Sequence, residues 1–118
     1  MSKHNEIGTN GELIAVNFLK NKGYLIVATN WRSGKKEIDI IAEIGDNIVF
    51  VEVKTRSNFD FGYPEEAVNE RKKNLIKSAA EDYFFAFPSE KQLRFDIISI
   101  LQRQNKALEI VHIEDAFY

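Results

Sequence analysis

The chain has no cysteine, and its 118 residues include only two histidines, two prolines, one methionine and one tryptophan. Without cysteine there can be neither disulfides nor thiolate metal sites, which suits a reducing compartment. His4 and His112 are isolated and show no metal-ligand spacing, so neither is assigned a role. No run approaches the roughly 20 apolar residues of a membrane-spanning helix, and the start Met1-Ser2-Lys3-His4-Asn5 lacks the apolar centre of a signal peptide. A cytoplasmic protein without a membrane partner is therefore the expectation. Net charge is also small, −2 with a pI near 5.7, which argues against a domain that coats nucleic acid by bulk electrostatics. No internal repeat or low-complexity tract is present.

What remains is a 44% hydrophobic sequence, enough to build one core and too short for two, so residues 1–118 are read as a single domain. Basic residues gather at Arg32, Lys35 and Lys36, at Lys54 and Arg56, and at Arg71, Lys72 and Lys73, while Glu109, Glu114 and Asp115 lie near the C-terminus. That distribution suits either a basic rim around an acidic pocket or ordinary solvated charge.

Apolar residues at helical spacing (Ile7, Ile14, Ala15, Phe18) predict a helix over 5–22, stopped by Asn21-Lys22-Gly23. Residues 24–29 predict a short strand, followed by a polar, basic loop from Asn30 to Lys36. Two Ile/Val-rich segments, 37–44 and 47–55, flank the turn Gly45-Asp46-Asn47 and predict a hairpin. An aromatic loop (Phe59, Phe61, Tyr63) offers rings that either stack on unpaired bases or pack the loop onto the domain. Pro64, Glu65 and Glu66 are expected to open a second helix, whose apolar stripe runs Val68, Leu75, Ile76, Ala79, Ala80, Tyr83, Phe84, Phe87. Two strands, 94–100 and 108–113, complete an αβββαββ order. A long helix between the third and fourth strands implies parallel neighbours, hence a mixed sheet with flanking helices.

Two charged triplets interrupt the apolar hairpin, Glu37-Ile38-Asp39 and Glu52-Val53-Lys54. If Gly45-Asp46 is a two-residue turn, Ile44 faces Asn47, Asp39 faces Glu52 and Glu37 faces Lys54. A one-residue change of loop length would send Asp39 and Glu52 to opposite faces. Opposed like charges destabilise a sheet by roughly 0.2–1 kcal/mol, so the pair calls for a cation, either Lys54 or a bound metal. The arrangement has the form of a metal-dependent phosphodiesterase site.

Gly11-Glu12, Gly23-Tyr24, Asn30-Trp31-Arg32, Glu37-Ile38-Asp39-Ile40-Ile41-Ala42, Val49-Phe50-Val51-Glu52-Val53-Lys54-Thr55-Arg56, Pro64-Glu65-Glu66-Ala67-Val68, Lys72 and Arg94-Phe95-Asp96 closely resemble the signature of the bacterial YraN-like uncharacterised family. The likeness spans nearly the whole chain. One departure is Lys36, where the family usually has glycine; here the glycine is Gly34. That family in turn resembles the restriction-endonuclease-like superfamily of PD-(D/E)xK nucleases, and the archaeal Holliday-junction resolvases in particular.

The resemblance implies an α/β restriction-endonuclease-like fold. It further implies Mg²⁺ or Mn²⁺ held by Asp39, Glu52 and the carbonyl of Val53, with Lys54 orienting or deprotonating a water or neutralising the phosphorane. Lys54 could instead form a salt bridge to Glu37, a supporting acid. Glu12 is implied to complete the metal site, while Thr9-Asn10-Gly11-Glu12 also fits a capping box if the helix starts there. Lys72 interrupts the apolar stripe of its helix and either snorkels out or points at something negative, phosphate or the acidic pocket. Arg32, Lys36 and Arg56 are candidate phosphate contacts, and Asp96 reads as structural. The expected function is a nucleic-acid-binding protein, DNA favoured, acting as a Mg²⁺-dependent endonuclease on branched DNA. A homodimer follows by analogy from the two cuts a junction needs. The alternative is a catalytically silent accessory module of the same fold.

Overall fold

The computed structural model describes residues 3–57 and 68–117, with side chains from Gly11 onward. The elements run α1 (Lys3–Asn21), β1 (Leu25–Ser33), β2 (Lys36–Ile44), β3 (Asn47–Arg56), α2 (Glu70–Ala86), β4 (Gln92–Leu101) and β5 (Glu109–Phe117). They form one five-stranded sheet in the order β1-β2-β3-β4-β5. The β1–β2, β2–β3 and β4–β5 pairs are antiparallel, and β3–β4, joined through α2, is parallel.

Each sheet face carries one helix. Ile41, Ile48, Phe50, Phe95 and Ile97 pack under Ile76, Ala79, Ala80 and Tyr83 of α2. Ile40, Ala42, Val49, Val51, Ile98 and Ile100 pack under Ala15 and Leu19 of α1. β3 and β4, central in the sheet, read as near-continuous apolar runs because both their faces are covered. α1 approaches β3 closely at Gly11, where a Cβ would overlap Thr55 Oγ1.

The structure corrects the sequence expectations at three places. The expected basic loop from Asn30 to Lys36 is mostly strand: β1 continues to Ser33 and β2 begins at Lys36, leaving a two-residue turn at Gly34-Lys35. Polar residues suffice there because β1 is an edge strand. Ser33 and Lys36 both reach α2, Ser33 Oγ donating to Asp82 at 2.7 Å and Lys36 Nζ lying 2.6 Å from the same carboxylate. α2 starts at Glu70, with the Asn69 side chain accepting from Lys72 N–H as its cap, so Val68 is buried just before the helix. Pro64, Glu65, Glu66 and the aromatics Phe59, Phe61 and Tyr63 lie outside the described residues. Finally, Leu75 and Phe87, expected on the buried stripe, are about half exposed.

Asp96 lies within β4, four residues after its start, and serves as the centre of a buried polar network. It is fully buried on the α1 face, takes a bidentate grip from Arg94 (2.9 and 2.8 Å), and accepts from Asp115 N–H. His112 Nε2 lies 2.7 Å away, and Lys22 Nζ sits 2.8 Å from His112 Nδ1. An ammonium can only donate, so Nδ1 accepts and Nε2–H points at Asp96. Burial raises the Asp96 carboxyl, but the bonds from His112, Arg94 and Asp115 outweigh it and hold the group below the usual range.

Candidate metal and phosphate site

The register of the central hairpin is the one the two-residue turn requires, running from Ile44↔Asn47 to Ile40↔Val51. Pairing ends there. Asp39 and Glu52 are the next residues on either strand, so the triplets sit where β2 and β3 open. β2 also changes phase at this point: Ile38 packs on the α2 side, Ile40 on the α1 side. Its neighbour β1 is irregular opposite, where Asn30, between Thr29↔Ile40 and Trp31↔Ile38, adopts φ 52°. Asparagine is among the few residues that take this left-handed conformation readily.

Freed from regular pairing, the Asp39 carboxylate turns toward β3 and accepts the Val53 N–H at 2.8 Å. Glu12 enters from α1, and one carboxylate oxygen each from Glu12, Glu37 and Asp39 lie within 4.8 Å of one another. α1 starts at Lys3, well before Thr9, so Glu12 is interior to the helix and the capping-box alternative fails. Asn30 donates to Glu12 from its side chain. On the α2 side, Glu52 is 4% exposed and lies 3.9 Å from Lys54 Nζ and 3.8 Å from Lys72 Nζ. Lys72 therefore points at an acid rather than simply snorkelling.

The electrostatics follow from this crowding. Burial first, and then the Asp39 carboxylate, push Glu52 up to about 7 despite Lys72 and Lys54. Asp39 is also raised, by burial above all, against the lowering effect of the Val53 N–H. Glu12 is raised by burial and by Asp39 and Glu37, with the Asn30 hydrogen bond opposing. Several carboxyl groups thus share too little positive charge and too little water, a condition that a divalent cation relieves.

The remaining expected residues divide. Glu37 pairs with Arg32, its cross-strand neighbour on β1, at 3.1 Å, and not with Lys54. Lys36 lies against Asp82 and Ser78 and so fastens the hairpin to α2 instead of facing the acids. Arg56 lines a cleft of about 320 Å³ with Thr55, Ser57 and Gln102, just beyond Lys54. Val53 presents its N–H to Asp39. Asn30 falls in the segment whose composition predicts a loop; the signals for it are a polar residue with left-handed preference following an apolar run, and its place in the Asn30-Trp31-Arg32 signature. Glu37 is expected as a supporting acid, whereas its carboxylate is a full member of the three-acid cluster.

A mixed five-stranded sheet with one helix on each face, opening at an acid-lined hairpin, is consistent with the restriction-endonuclease-like class. Residues 11–100 match the family described as Uncharacterised protein family UPF0102, and the chain belongs to that family. It is 45% identical over 118 residues to the UPF0102 protein FP2501 of Flavobacterium psychrophilum, covering 100% of this chain and 98% of that protein. It is 46% identical to a UPF0102 protein of Bacteroides thetaiotaomicron (100% and 97% covered) and 47% identical to one of Alkaliphilus oremlandii (95% and 97% covered).

Proposed function

We propose that this protein binds nucleic acid and hydrolyses phosphodiester bonds with Mg²⁺ or Mn²⁺, branched DNA being the favoured substrate class. One observation carries this reading: where the β2–β3 pairing ends, Glu12 of α1 clusters with Glu37 and Asp39 of β2, and Glu52 of β3, beside Asp39, lies against two lysines. The donor set suits such a cation, since carboxylate oxygens are the hard ligands that Mg²⁺ and Mn²⁺ prefer. Asp39 would hold it with Glu12 and Glu37, and Glu52 would join once its proton is displaced. Bound there, the ion would supply Lewis-acid polarisation of the phosphate and a more acidic water.

The chain's own residues do the rest. Asn30 orients Glu12, and the Val53 N–H fixes the orientation of the Asp39 carboxylate beside Glu52. Lys54 of β3 and Lys72 of α2, both near 40% exposed, reach Glu52 with partly solvated ammonium groups, and an entering phosphate would replace those contacts. They would neutralise charge on the phosphoryl oxygens and orient the attacking water. Arg56, in its cleft beyond Lys54, would follow the backbone without reading bases.

A silent binding module is the second reading, favoured by one feature: Glu52 is already matched with two lysines and stands outside the three-acid cluster. The deciding experiment is cleavage of a labelled panel (four-way junction, flap, single strand, duplex, matching RNA) with Mg²⁺ or Mn²⁺. Cutting by the wild type that Glu52→Gln and Lys54→Ala both abolish supports the nuclease. Retained binding with no cutting of any substrate moves the function to the silent module.

A further inference from the structure

We propose that Arg32 and the divalent cation compete for Glu37, so that cation binding releases the Arg32 guanidinium to a phosphate of the nucleic acid. The inference rests on the metal-site reading above and adds a regulatory step to it. Arg32 and Glu37 face each other across β1 and β2, and Arg32 Nη2 lies 3.1 Å from Glu37 Oε2. The same carboxylate belongs to the cluster with Glu12 and Asp39. Glu37 is therefore shared between a guanidinium on the outside and the candidate cation position on the inside.

Three properties make the exchange favourable. Arg32 is 71% exposed, and ion pairs exposed to this degree are weak, whereas a doubly charged ion bound by three carboxylates is not. A cation at Glu37 also repels the guanidinium and withdraws the charge that held it. Once released, the guanidinium has the fork geometry that phosphate accepts. Lys36 cannot substitute on this hairpin, being held by Asp82 and Ser78. The protein would thus release its outer phosphate contact from Glu37 only when the metal needed for cutting is present.

The test uses the whole chain with Ca²⁺, which occupies oxygen sites without requiring turnover. Calorimetric titration should show Arg32→Ala binding Ca²⁺ about two- to fivefold more tightly than wild type, because one competitor is gone. In parallel, the anisotropy of a labelled four-way DNA junction is followed against KCl. Adding Ca²⁺ should steepen the wild-type log–log salt slope by about one, the signature of one more phosphate contact. Arg32→Ala should lack that increment, Arg32→Lys should keep most of it, and Glu37→Gln should show it already in EDTA. Ca²⁺ binding that needs Asp39 but is indifferent to Arg32, or an unchanged increment in Arg32→Ala, overturns the competition and leaves the metal site standing. No Ca²⁺ binding by any form overturns both.

Discussion

Glu52→Gln should make the protein more stable at pH 8 while removing the activity proposed for it. In the folded chain Glu52 is raised from an ordinary 4.5 to about 7 by burial and by Asp39. The sign is the reverse of the common surface carboxylate. Below about pH 4.5 the group is protonated in both folded and unfolded chains and contributes nothing. Between 4.5 and 7 the folded state holds a proton that the unfolded state has lost, so stability falls as pH rises. Above 7 the penalty is fully present, and a shift of this size corresponds to about 3 kcal/mol. Glutamine keeps the shape, removes the charge and can donate to Asp39. The cost is two lysines without an anion, and both are exposed enough to be solvated. A net gain of about 2 kcal/mol at pH 8 is expected, a urea midpoint higher by about 1 M, shrinking to nothing near pH 4.5. Urea unfolding in EDTA from pH 4.5 to 8.5 measures it. If wild type and Glu52→Gln decline in parallel across that range, Glu52 does not carry the buried charge and the account of the site is wrong.

Other substitutions probe the supports. Asp39→Asn should raise the melting temperature in metal-free buffer, because a raised, crowded carboxylate is removed while an oxygen remains for the Val53 N–H, and should abolish any melting shift caused by Mg²⁺. Gly11→Ala tests the approach of α1 to β3: helix propensity alone predicts about 1 kcal/mol of stabilisation, but overlap with Thr55 Oγ1 predicts a loss, with Thr55→Ala restoring stability in the double mutant. Denaturant midpoints of the four proteins decide the sign. Asp96→Ala strands Arg94 and His112 and should cost about 3–5 kcal/mol in thermal unfolding. Because Asp96 is held below the usual range, its contribution is complete above an ordinary carboxylate pKa and should fade as pH falls through the folded value.

The element order, the mixed sheet and the hairpin register were legible in the chain because local rules govern them. Apolar alternation marks strands, a two-residue turn at Gly45-Asp46 sets the observed pairing, and the separation of β3 from β4 by a helix makes them parallel. Asp39, Glu52 and Lys54 could be singled out for the same reason: charge within a β-branched run is locally anomalous. Asn30 could not, because its role depends on a left-handed backbone opposite Asp39 and on a helix residue, Glu12, far away in sequence. Nor could the partners of Glu37, Lys36 and Lys72. Opposite charges are plentiful in this sequence, and which of them meet is set by how α1 and α2 lie on the two sheet faces. The sequence by itself determined the strands and the acids they carry; only packing decided that three of those acids, Glu12 of the first helix and two lysines share one opening, because side chains from four elements converge there only after the sheet and both helices have closed on their cores.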